Sequence, residues 1–213
     1  MTPYQVEEWL RTEGGYEHHC FISWPHTIDS DITECARQVT RAITGRLAQL
    51  FAEPRVFLDE TALQVGDTWE PRLKSALCKS MAMVAVCAPI YYHPKHKWCG
   101  LEWAAMDVLS NNRFPGQSSK AIFSLMIRMS EPLPPVISAT QYIDISRVTI
   151  LGRQYYKRTE FRETIAKIGN LIEKIAFELV DKQIKADCDS FQFPTESAFS
   201  DYGAPLQGPP LVS

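Results

Sequence analysis

"SMAMVAVCAPIYYHPKHKWCGLEW", residues 80–103, is the stretch that decides the fold. Its first half, "MAMVAVCAP" (81–89), is almost wholly apolar. A strand of that composition has to be covered on both faces, which is the condition of a parallel sheet lying under helices. The whole apolar run, 81–90, is too short to span a bilayer. A loop containing Pro94 follows, and then a helix from about Trp98 to Asn111.

Upstream, "HHCFISW" (18–24) reads as a buried strand opening into the turn-like "PHTIDSD". Asp31 with Glu34 resembles a helix start, and Ile32, Cys35, Val39, Ile43, Leu47 and Leu50 recur at three and four residues, predicting an amphipathic helix over 31–52. "RVFLD" (55–59) is a second strand, "ETALQVGD" (60–67) a loop, and 68–80 a helix with Pro71 in its first turn. Downstream, "KAIFSLMIR" (120–128) and "YIDIS" (142–146) add two strands across a Pro-rich loop. A long helix over 159–185 follows, with an apolar seam from Phe161 to Leu179. That seam has the spacing of helix–helix packing, but a doubly wound sheet needs a covering helix there, so burial against the chain's own sheet is the favoured expectation.

Five strands alternating with helices predict an α/β protein with a flavodoxin-like, doubly wound, five-stranded parallel sheet, whose ligands sit at the carboxyl ends of the strands. A short helix (3–13) and a tail from about 186 lie outside the alternation. The chain divides accordingly into an N-terminal helical extension (1–16), the α/β domain (17–185) and a Pro-rich acidic C-terminal extension (186–213). Phe191, Phe193, Phe199 and Tyr202 are the residues by which that tail would dock.

Net charge is −3, and residues 186–213 carry Asp187, Asp189, Glu196 and Asp201 with no Lys or Arg, so the remainder is close to neutral. Without a Lys/Arg run there is no electrostatic footprint for nucleic acid. Glu7, Glu8, Arg11 and Glu13 interrupt the N-terminal segment, which reads as neither signal peptide nor membrane anchor, and a cytoplasmic location is expected. The six cysteines (20, 35, 78, 87, 99 and 188) form no CxxC pair, and disulfides are not expected. His93, His96 and Cys99 have a metal-like spacing but cross a Pro-containing loop and lack a fourth ligand, so no metal is expected either.

Fold alone does not decide function. A phosphoreceiver would need acids after its first strand and an Asp ending its third, where this chain has Ser23-Trp24-Pro25 and Ala88-Pro89. Neither GxGxxG nor a phosphate loop ending in GK[ST] is present, which removes dehydrogenase and ATPase chemistry of those kinds. "FISW" (21–24), "VFLDETALQVGDTW" (56–69) and the 80–103 stretch, in this order and spacing, resemble the three boxes of the TIR (Toll/interleukin-1 receptor) family in its bacterial and plant-like form. The resemblance covers roughly residues 17–180. Trp24, Pro25 and His26 depart from the Tyr or Arg that enzymatic relatives often carry after the first-box Ser, and the tail has no counterpart.

In "WCGLE", Trp98 and Glu102 are four apart and share a helical face, and Glu102 falls in the first turn of the expected helix, where the dipole favours an ionised acid. An ionised acid in an aromatic cleft suits a reaction that develops positive charge on a sugar. The resemblance implies that Glu102 is the catalytic residue of an NAD+ nucleosidase giving nicotinamide and ADP-ribose or a cyclic product. It further implies that Phe21, Ser23, Trp24, Asp59, Leu63, Gly66, Trp69 and Trp98 line the substrate pocket and mobile loop. NAD+ is then a substrate, with no cofactor. The partners implied are copies of the chain itself, through TIR–TIR contacts, and a partner protein in an antiphage defence system. A non-catalytic TIR adaptor and a nucleoside deoxyribosyltransferase-like enzyme are the alternatives.

Overall fold

The structure, a computed structural model, describes residues 1–58, 69–93, 96–117, 120–129, 142–149 and 154–195. β3 (Ser80–Cys87) is its axis: all eight residues are buried, as the apolar run requires. β1 (His18–Ser23) and β4 (Ile122–Met126) pair with it on either side, in registers that put Ser23 opposite Ala85 and Cys87 opposite Met126. The short edge strands β2 (Val56–Leu58) and β5 (Tyr142–Asp144) complete an all-parallel sheet in the order β2-β1-β3-β4-β5.

α3 (Trp69–Cys78) and α4 (Lys97–Arg113) pack together over one side of the sheet. α2 (Ser30–Leu47) packs on the long helix α6 (Thr159–Asp181), which the short α5 (Ser146–Thr149) precedes. The α6 seam, Phe161, Ile165, Ile168, Ile172, Ile175 and Leu179, is buried within the chain, as a covering helix requires. This is the flavodoxin-like, doubly wound five-stranded parallel fold anticipated above.

Two helix starts differ from expectation. α2 starts at Ser30 because Asp29 is its cap, accepting the N–H groups of Asp31 and Ile32, so Asp31 is already inside the helix. α4 starts at Lys97, and Glu102 is its sixth residue. The acid therefore lies in the second turn and not, as expected, in the first, beyond the end where the helix dipole acts most strongly.

α1 (Pro3–Thr12) is tied into the same core rather than appended to it. A capping box between Thr2 and Gln5 starts the helix, and Val6, Trp9 and Leu10 are buried. The Glu7 carboxylate accepts the N–H groups of Ala52 and Glu53, each at 2.9 Å. The turn into β1 uses Gly15 at φ +72, a conformation that would strain any other residue type.

The expectation of no disulfide is overturned. Cys78, the last residue of α3, is bonded to Cys188 (S–S 2.08 Å, Cα–Cα 5.8 Å) across a sequence separation of 110. Spacing along the chain carries no information on such a pair, which exists because the chain beyond α6 doubles back along α3. Cys20, Cys35, Cys87 and Cys99 are buried and free.

Candidate functional site

The alternation of β1 puts Phe21 and Ser23 on the side facing α3 and α4. Phe21 is core: 1% exposed, it stacks on Phe57 with ring centroids 5.3 Å apart. Ser23, at the carboxyl end of the strand, sits beside the small Ala85 of β3 and meets the buried carboxylate of Glu102. Ser23 Oγ donates to Glu102 Oε2 at 2.5 Å, and the hydroxyl of Tyr91 lies 2.6 Å from the same Oγ. A serine hydroxyl has one proton, and this one is given to Glu102. Tyr91 is then the donor to Ser23, and a directed chain runs from Tyr91 through Ser23 to Glu102.

Tyr91 belongs to a 3-10 turn, Pro89–Tyr92, that follows β3 directly. It is fully buried, and its pKa is held well above the ordinary 10.0, by burial first and then by the nearby Cys99, Cys87 and Glu102. It therefore remains a proton donor at neutral pH. Cys99, next to Glu102, is likewise pushed up, by burial and then by the carboxylate. Sequence reasoning missed Tyr91. The available signal was a polar-tipped aromatic immediately beyond the carboxyl end of the central strand.

Among the described candidates, Trp24 and Trp98 have other neighbours. Trp24 is buried, stacks on His26 at 4.3 Å, and its indole N–H has no hydrogen-bond partner among the described residues. Trp98 is half-buried, with its ring 6.4 Å from Phe193 of the tail. Trp69 opens α3. Asp59, Leu63 and Gly66 lie outside the described residues. A cavity of about 870 Å³ on the α2 side, between the start of that helix, Ile127 and Arg128, and Tyr155 and Tyr156, contains none of the candidate residues. Among the described residues no His/Cys/Asp/Glu group could hold a metal, and no helix is long and apolar enough to cross a membrane.

The chain is thus a doubly wound parallel domain with a buried acid on the helix after the third strand, held against the end of the first. A family model described as TIR domain matches residues 22–160, more than half of the chain, and the protein belongs to the TIR domain family. No curated protein matches the chain.

Proposed function

We propose that the protein cleaves the bond between nicotinamide and ribose in NAD+, with Glu102 as the catalytic residue. The observation that carries this reading is the 2.5 Å hydrogen bond from Ser23 to Glu102, which fixes an acid at the carboxyl edge of the sheet, where folds of this type bind their ligands. As the C1′–N bond breaks, its electron pair leaves with nicotinamide, which departs neutral and needs no proton. The ribose becomes oxocarbenium-like, and one carboxylate suffices to stabilise it, in contrast to the paired acids of ordinary glycosidases. Water then adds at C1′ and releases a proton, giving ADP-ribose; capture by a group of the same molecule gives a cyclic product. A preorganised group of this kind is worth about 3 kcal/mol or more in the transition state.

The adaptor reading has an observation of its own. Glu102 is only 7% exposed, and its bond to Ser23 joins α4 to β1 as a purely structural contact would. One experiment separates the two. Purified protein is incubated with NAD+, nicotinamide release is followed across protein concentration, and light scattering reports assembly. Turnover that rises as the chain associates supports an enzyme completed by homotypic TIR contacts; association with no turnover at any concentration supports the adaptor. A role in antiphage defence belongs to the same proposal and is tested by product analysis during phage challenge.

A further inference from the structure

Beyond α6 the chain makes an ordered series of contacts. It turns at Gln183 (φ +53), and the Ala186 N–H donates to the Gly14 carbonyl at 2.7 Å. Cys188 is then joined to Cys78, and Phe191 and Phe193 settle half-buried, their rings 6.3 Å apart. Lys74 Nζ lies 4.9 Å from the centre of the Phe193 ring, and Trp98 flanks that ring from α4. In a parallel sheet the crossover helices start at the carboxyl edge and end at the amino edge. Cys78 ends α3, Lys74 is one turn higher, and Trp98 is the second residue of α4. The segment therefore climbs from the amino edge toward the edge that holds Glu102. Five extended residues span about 17 Å, ample for that climb.

Besides the disulfide, Phe191 and Phe193 pack against the core, and Ser190 donates to the Asp187 carboxylate. Asp187, Asp189, Ser190, Gln192 and Thr195 are exposed. Cys78 is buried and Cys188 half-buried, so an attacking thiolate reaches the pair from the Cys188 side. The chain's own thiols are poor competitors: burial pushes Cys20 and Cys87 up to about 12 and Cys35 up to about 11.

We propose that the Cys78–Cys188 disulfide is a redox latch: oxidised, it seats residues 187–195 against Trp98 on the helix that carries Glu102; reduced, it frees them. The reductant is an external dithiol. It supplies two electrons and two protons, the S–S bond breaks, each sulfur takes a proton, and the dithiol closes to its own disulfide. Reducing compartments keep such a latch open and oxidising conditions close it. The consequence for activity rests on the reading of Glu102: release uncovers the Trp98 end of α4 and raises NAD+ cleavage.

The test compares the oxidised full chain, the same protein treated with dithiothreitol, and Cys188→Ser. Reduction is expected to add the mass of two hydrogens. Amide exchange across 187–195 is expected to rise about tenfold or more in both the reduced protein and the variant, with β3 and β4 amides unchanged as the check on folding. NAD+ cleavage is expected to rise about threefold or more. Phe193→Ala, with the disulfide intact, frees only the distal end and gives a smaller rise in exchange. Unchanged exchange after reduction and in Cys188→Ser overturns the latch. A freed strap with unchanged NAD+ cleavage overturns its control of the site. A protein silent toward NAD+ in both redox states defeats the reading of Glu102 and with it the control, while the exchange data still decide the latch.

Discussion

α4 buries two charged residues of opposite sign, and their surroundings differ in kind. Arg113, in its last turn, donates to the main-chain carbonyls of Cys78 and Ser80 and lies over the ring of Tyr16 at 5.1 Å. Glu102, eleven residues earlier and so about 16 Å along the axis, accepts from the side-chain hydroxyl of Ser23. Carbonyls at the end of a helix need donors, and a guanidinium with five of them answers that need permanently. Glu102 takes a bond from a side-chain hydroxyl that itself accepts from Tyr91. Arg113 ties main chain to main chain, whereas Glu102 is the acid proposed above to act on substrate.

The largest effect is expected at Glu102. Glu102→Gln keeps the volume and can still accept from Ser23, so the fold should persist while nicotinamide release falls about a hundredfold or more. Retained turnover with an unchanged melting curve would remove the acid from the mechanism and make the two charges alike. Because Glu102 is buried, Glu102→Ala is expected also to lose stability, so the Gln variant is the cleaner probe. Arg113→Ala should do the opposite. Urea unfolding is expected to show a loss of about 2–4 kcal/mol from two stranded carbonyls, with turnover per folded molecule preserved. A stable Arg113→Ala protein that no longer cleaves NAD+ would break the comparison from the other side.

How much of this was legible in the sequence follows from which forces act locally. The β3 run and the α6 seam are read directly, because burial on two faces or on one helical stripe leaves a periodic record. Ser23 and Glu102 were legible through the ordered boxes. Tyr91 and Arg113 were not, because each acquires its partner only when distant elements pack. Cys188 found its partner the same way, since the tail's course along α3 is fixed by tertiary contact and not by spacing. The seating of Glu102 in the second turn was not legible because α4 starts at Lys97 without a side-chain cap, so no capping residue marks its first turn.

Smaller effects grade the hydroxyl chain itself. Ser23→Ala removes the direct donor to a buried acceptor, so nicotinamide release is expected to fall about ten- to a hundredfold and the melting temperature to fall with it. Tyr91→Phe removes only the second link, for an expected loss of about two- to tenfold. If the tyrosine variant loses more than the serine variant, the direction of the chain is wrong. Tyr91 also has a pH signature. Its folded pKa is raised, so above the ordinary 10.0 the unfolded chain releases a proton that the folded one retains, and stability falls as pH rises. Tyr91→Phe should therefore lose less stability than the parent between about pH 9 and 11, measured by urea unfolding at each pH.

The parallel registers described for β1 and β3 carry a kinetic consequence. Ser23 and Glu102 are 79 residues apart in the chain, and β1 reaches β3 only after β2 and α3 have been traversed. Contacts of that separation close late, because loop entropy has to be overcome before they form. The helices can appear within the dead time of a refolding experiment while the acid still lacks its hydroxyl partners. Recovery of the Ser23–Glu102 pair should therefore lag the recovery of helical signal, making the site a reporter of completed sheet assembly.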